Sequence, residues 1–185
     1  NTDYLVKLAP FLSVLGLSVD AENPRTNAII GRTERGVSLP ANKIASIVAK
    51  TRAINPSVTI KINTVVNDAN VDLDFYSFIE SVRPDRWKVM RMLPITTRDL
   101  SISDEAYQAF IARHASLKHL MNSEGNESML QSYIMLDPLG RFFQNTTGSS
   151  EYLYSGKILA IGAEAAFQQI PFSPSKFASR YEIQE

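Results

Sequence analysis

Apolar and polar positions alternate along this chain in blocks that change period. FLSVLGLSVD, 11–20, is a short apolar run ending in polar residues and predicts a buried strand. From Leu39 to Asn55 the period becomes helical, with Ile44, Ile47, Val48 and Thr51 on one face, Pro40 in the first turn and Asn55-Pro56 as the stop. VTIKINTVV, 58–66, is rich in β-branched residues and predicts the next strand. After the loop NDAN, Val71, Phe75, Phe78, Ile79 and Val82 form a helical stripe that ends before Pro84, and RWKVMRML, 86–93, predicts a third strand. Strand, helix, strand, helix, strand at this spacing calls for parallel pairing with right-handed crossovers, an α/β fold.

The second half reads differently. Ser103 is placed to cap a helix running to about Lys118, with Asp104 and Glu105 in its first turn. MNSEGNES reads as a loop, and SYIMLDPLGRFFQN, 132–145, as a hairpin around an Asp-Pro-Leu-Gly turn. KILAIG, 157–162, predicts one more strand, followed by a short helix through Gln169; the C-terminal segment has no strong period. These patterns divide the chain into residues 1–94, built of βα units, and 95–185, an extension packing on them.

Composition narrows the classes. With 185 residues and 44% hydrophobic content there is enough chain for a real core. Nineteen basic and nineteen acidic side chains cancel, so no global field draws the chain to nucleic acid or to a membrane surface. No apolar run approaches the ~18 residues that span a bilayer. The N-terminal residues have neither an initiating Met nor a signal-peptide layout. The chain contains no cysteine, which fits a cytoplasmic setting and leaves no thiolate for an iron–sulfur cluster.

Within the strands, polar residues at alternate positions carry the candidate chemistry. Lys61 and Asn63 share one face while Ile60 and Ile62 take the other; on the third strand Lys88 shares a face with Met90 and Met92. If the two strands are neighbours, both lysines enter one concavity, and two ammonium groups there call for a polyphosphate. The plainer reading has each lysine running out to solvent or pairing with a carboxylate. Arg32, in the connection after the first strand, is either an anion clamp or a solvated loop residue, with Arg25 and Arg35 nearby. Ser18 and Asp20 end the first strand as ligand contacts or loop caps. His114 and His119, five apart, read as surface histidines rather than metal ligands, Asp72 and Asp74 as helix-start residues, and Tyr133 as core or catalyst. No glycine-rich phosphate loop and no hydrolase-type spacing is present.

The order LSVDAENPRTNAIIGR, IKINTVVNDANV, PDRWKVMRMLPI, QSYIMLDPLGRFF resembles viperin and its prokaryotic relatives, radical S-adenosylmethionine enzymes of antiviral defence. The likeness runs from about residue 10 to about 170. It implies the C-terminal half of a partial (βα)6 barrel with a C-terminal hairpin and strand extension. It also implies an activity: a [4Fe–4S] cluster and S-adenosylmethionine generate a 5′-deoxyadenosyl radical. That radical takes the 4′ hydrogen of a ribonucleoside triphosphate (CTP, GTP or UTP), and loss of water gives the 3′-deoxy-3′,4′-didehydro nucleotide. By matched position, the resemblance makes Lys61 and Lys88, with Arg32 beside them, ligands of the triphosphate. Asn63 becomes a ribose contact, and Ser18 with Arg32 the contacts to the methionyl end of S-adenosylmethionine. Tyr133 becomes the residue that returns a hydrogen.

The CxxxCxxC cluster motif of that family is not in this sequence. The expectation is therefore an incomplete chain, inactive alone, whose partners are the missing N-terminal half of the barrel, an electron donor and the nucleotide, with self-association through the exposed first strand. A non-catalytic nucleotide-binding or interaction domain of a shortened relative is the alternative.

Overall fold

The computed structural model describes residues 2–95, 99–146 and 151–181. They form two compact units, residues 2–92 with 100–123 and residues 93–95 with 99, 124–146 and 151–181.

The first unit is a mixed α/β layer. It opens with helix α1 (Thr2–Leu8) and a 3-10 turn, then strand β1 (Val14–Ser18). Helix α2 (Pro24–Ile30) and helix α3 (Ala41–Ile54) lead to β2 (Thr59–Val66), α4 (Tyr76–Val82), β3 (Arg86–Arg91), α5 (Asp104–Arg113) and β4 (Met121–Glu124). The sheet order is β1-β2-β3-β4, and β1, β2 and β3 pair parallel, as the strand–helix alternation requires. Burial alternates strictly along β2: Ile60, Ile62, Thr64 and Val66 are sealed, while Thr59, Lys61, Asn63 and Val65 are half-buried. The sealed face meets Ile44 and Val48 of α3 and Phe78, Ile79 and Val82 of α4. Each such side chain contributes about 1.5–3 kcal/mol by leaving water.

One polar chain runs through this core. The Trp87 indole N–H donates to the Thr64 hydroxyl at 2.9 Å, and that hydroxyl donates to the Val19 carbonyl at 2.8 Å. Both polar side chains are wholly buried and both are satisfied, so the end of β1 is tied to β2 and β3 from beneath.

The local structure differs from the sequence reading at several points. Helix α2 is new; Asn23 caps it by accepting the Thr26 N–H at 2.7 Å, Pro24 starts it, and Gly31 closes it at φ 79. The stripe expected over 71–82 becomes helical only at Tyr76, because Asn67 and Asn70 hold 67–71 in turns. Helix α5 starts at the Ser103 cap but stops at Arg113, followed by a 3-10 turn at Ala115–Leu117. MNSEGNES is not a plain loop: it supplies β4, placed against β3, and then α6 (Asn126–Met129).

The second unit carries an antiparallel sheet β5-β6-β7, with β5 at Met135–Leu136, β6 at Arg141–Gln144 and β7 at Leu153–Lys157. The hairpin stands as read, with Met135 opposite Phe143 across the Asp137–Gly140 turn. The strand expected at KILAIG lies just before it instead, and those residues form α7 (Ile158–Ile161), continuing into α8 (Ala163–Phe167). A last helix, α9, spans Pro174–Tyr181. Among the described residues no helix is long and apolar enough to cross a membrane.

Candidate functional site

The register of the parallel strands fixes which polar side chains meet. Ser18 pairs with Asn63 and Asn63 with Lys88, so the three form one row across β1, β2 and β3 on the face away from the core. One step back, Gly16 pairs with Lys61 and Lys61 with Arg86 on that same face. The second row contains no side chain at Gly16, so the flank of Lys61 toward β1 is bare. Strand spacing of about 4.8 Å and a two-residue step of about 6.6 Å put Lys61 and Lys88 roughly 8 Å apart at Cα. Among the described residues the side chains of Lys61, Asn63 and Arg86 make no hydrogen bond or ion pair. Lys61 and Arg86, two cations without a described partner, therefore share a patch of sheet with Asn63 and Lys88, an arrangement suited to a multiply charged anion.

Arg86 was absent from the sequence reading of the site. The signal was available: it precedes Lys88 by two in a strand, and so lies on the lysine's face by the same alternation that placed Lys61 with Asn63.

The second element of the site lies where β1 ends. A cavity of about 510 Å³ is lined by Ser18, Asn27, Gly31, Arg32, Ser38 and Leu39, among others, a size in the range of small-molecule pockets. Arg32 sits at the C-terminal end of α2 and is not the free loop cation of the plain sequence reading. Its Nε donates to Asp20 Oδ2 at 2.8 Å, and its Nη2 contacts the same oxygen. Asp20 is buried, and its Oδ1 accepts the Val65 N–H at 2.8 Å. Asp20, left open above between ligand contact and cap, thus joins β1, β2 and Arg32. Ser18 belongs to both elements: it lies in the Ser18–Asn63–Lys88 row and in the cavity wall.

Other candidates fall elsewhere. Tyr133 is in the second unit, half-buried and ahead of β5 rather than in a strand; its carbonyl accepts Gln144 Nε2 at 2.8 Å. His114 is not a surface residue. It is sealed among Phe75, Trp87 and Phe110, its Nε2 accepts the Phe75 N–H at 2.9 Å, and Nδ1 lies 2.8 Å from the Phe110 carbonyl. Bonded to two main-chain groups from opposite sides, the ring is committed to structure. Glu22 has its carboxyl pushed above the ordinary 4.5, first by burial and second by the charge of Asp74. Among the described residues no group of three His, Asp or Glu side chains is placed to hold a metal. With no cysteine anywhere in the sequence, the residues present do not fit an iron–sulfur cluster.

No protein-family model matches the chain. Individual proteins do. A protein of Psychrobacter lutiphocae named S-adenosylmethionine-dependent nucleotide dehydratase is 41% identical over 182 residues, covering 98% of this chain and 61% of that protein. Proteins with the same name from Pseudoalteromonas ulvae and Flammeovirga pacifica are 34% and 33% identical, covering 98% and 99% of this chain and 59% and 63% of their own lengths. The chain spans about three-fifths of the length of these curated relatives. Along nearly its whole length the chain is similar to proteins named S-adenosylmethionine-dependent nucleotide dehydratase.

Proposed function

We propose that this chain provides the substrate-positioning wall of a viperin-like nucleotide dehydratase. The observation that carries the reading is the shared Ser18. It lies both in the Ser18–Asn63–Lys88 row of the open sheet face and in the wall of the cavity edged by Arg32. In this reading Lys61 and Lys88, with Arg86 in register with Lys61, hold the triphosphate of CTP, GTP or UTP, and Asn63 orients the ribose by its amide. Ser18 and the guanidinium of Arg32 hold the methionyl carboxylate of S-adenosylmethionine, whose place is the cavity. S-adenosylmethionine supplies the group that removes the 4′ hydrogen of the sugar, on the way to a 3′-deoxy-3′,4′-didehydro product. The contribution of this chain is position and charge: preorganised cations fix the sugar relative to the cavity and remove the cost of orienting it during reaction.

The donor set here does not fit a [4Fe–4S] cluster, so cluster ligation and its electron donor are assigned to residues outside this sequence. This chain alone then binds without turning over. Tyr133 is the proposed hydrogen source for the closing step, and the parallel strands are proposed to continue into a partial barrel along the free edge of β1. Without that continuation, the same edge is open to a second copy of the chain. Antiviral nucleotide chemistry in the cytoplasm is the setting that goes with this reading.

The cysteine-free sequence favours one alternative, a nucleotide-binding domain without chemistry. Titration calorimetry separates the two. The enzyme reading requires binding of a nucleoside triphosphate that weakens stepwise as the γ- and β-phosphates are removed. It also requires S-adenosylmethionine binding that Ser18→Ala weakens. Triphosphate binding alone supports the binding domain, and binding of neither ligand refutes both.

A further inference from the structure

Asp20 stands where β1 leaves the sheet. The Val19 N–H makes the last bond of that ladder, to the Asn63 carbonyl at 2.8 Å. The next donor on β2, the Val65 N–H, takes the side chain of Asp20 as its acceptor, through Oδ1 at 2.8 Å. The Asp20 carbonyl and the Val65 carbonyl both accept from the Nδ2 of Asn70, at 2.8 and 3.0 Å, and Asn70 is itself fully buried. Asp20 is thereby held at its carboxylate by Val65 and at its main-chain carbonyl by Asn70 before Arg32 is considered. Its remaining oxygen, Oδ2, receives Nε and Nη2, the side edge of the guanidinium. Among the described residues Nη1 has no hydrogen-bond partner, and Arg32 lines the cavity with 44% of its side chain exposed.

We infer that Asp20 is a positioning residue. Held by β2 and Asn70, it grips Arg32 by the side edge and turns the end edge of the fork toward the cavity, where it can take both oxygens of a ligand carboxylate. The pairing also sets the kind of ligand. A buried carboxylate cancels the charge of Arg32, so the cavity gains directional N–H donors without net positive charge. Such a site suits a carboxylate that travels with its own ammonium, as in an amino-acid head group, over a bare polyanion. This inference rests on the reading of the cavity given above. It adds a residue that acts through Arg32 and not on the ligand.

The test combines two readouts on the chain, with Asp20→Asn, Arg32→Lys and the double variant. Asparagine at 20 keeps an oxygen for the Val65 N–H but presents no anion to Arg32. Lysine at 32 keeps the ion pair and has no second edge. The first readout is the nitrogen-15 resonance of Arg32 Nε–H. It should be resolved and slow to exchange in the parent and lost in Asp20→Asn; persistence in that variant overturns the inference. The second is calorimetric affinity for S-adenosylhomocysteine. Each single variant should weaken it at least tenfold, and adding Asp20→Asn to Arg32→Lys should change it less than twofold. An undiminished second loss would mean that Asp20 acts on the fold or the ligand and not through Arg32, which also overturns the inference, as does unchanged affinity in either single variant. If the parent does not bind S-adenosylhomocysteine, the cavity reading fails, and the Nε–H resonance still decides whether Asp20 holds Arg32.

Discussion

Replacing Lys61 by Met isolates the charge, because methionine keeps most of the apolar stem that lies along the sheet. Lys61 is half-buried, in register with Arg86 on one side and with Gly16 on the other. Two charges about 7 Å apart at an effective dielectric of about 40–80 repel by about 0.6–1.2 kcal/mol. For a chain of 185 residues the unfolding entropy is about 0.39 kcal/mol/K, so relief of that repulsion raises the ligand-free Tm by about 1.5–3 °C. A nucleoside triphosphate at about 100 times its Kd adds about 2.7 kcal/mol to the parent, a shift of about 7 °C. Removing one charge-assisted contact weakens binding about tenfold, and at the same ligand concentration the shift falls to about 3.5 °C. With Lys61→Met and Lys88→Met together it falls to about 1 °C by the same arithmetic. The assay is thermal unfolding in low salt, followed by the fluorescence of Trp87, the only tryptophan and a member of the same core. The opposite pattern, a ligand-free Tm several degrees lower with the triphosphate shift intact, would show that Lys61 packs its stem and binds nothing.

Three further changes probe the scaffold. Thr64→Val leaves the Trp87 indole N–H and the Val19 carbonyl without this hydroxyl and should cost about 2–4 kcal/mol, read as a lower urea midpoint at unchanged slope. His114→Phe keeps the aromatic packing but strips the acceptor from the Phe75 N–H, so a loss of about 1–3 kcal/mol is expected, partly recovered by His114→Gln. Glu22 binds its proton more tightly in the folded state, so its contribution to stability is present at low pH and is lost as pH rises through and above the ordinary 4.5. Glu22→Gln should flatten the Tm profile between pH 4 and 7, and a parallel profile for parent and variant would remove Glu22 from the account.

Much of the site was readable because a strand has period two and parallel pairing is local in its consequences. Placing Lys61 with Asn63 needs no tertiary information; placing Asn63 beside Lys88 needs only that β2 and β3 are neighbours with no slip in register. The Asp20–Arg32 pair was not readable, since it depends on α2 returning the chain twelve residues later. Its cue, Asn-Pro ahead of a short apolar stretch and Gly31 behind, is a start and stop signal for a helix too short to show a period. His114 had a cue as well: Tyr107, Phe110 and His114 follow one another at spacings of three and four, on the buried face of the helix and just past its end. KILAIG failed for a different reason. An apolar run that short fits a strand or a turn of helix equally, and the bound at Gly162 came after the ambiguity, not before it. In β4 the sequence Met-Asn-Ser-Glu has no apolar pattern to read; its place is set by the neighbouring strand β3, whose Trp87 main-chain N–H donates to the Leu120 carbonyl at 2.7 Å.

Parallel strands covered on both faces read as nearly continuous apolar runs, because each side chain meets a packed layer whichever way it points. β2 does not. Its core face is sealed down to the last methyl, and even its one hydroxyl there is bonded. Its other face carries a lysine and an amide at half exposure, in register with a serine and with a second lysine. A face selected only for contact with water would have no reason to set Lys61 against Arg86, which costs stability, or to leave Gly16 bare beside them. Like charges placed together on a rigid sheet make sense where an anion completes them. The energetic penalty of the unliganded face and the affinity of the liganded one are therefore the same interaction viewed with and without its counter-charge, and Lys61→Met should improve the first by the act that spoils the second.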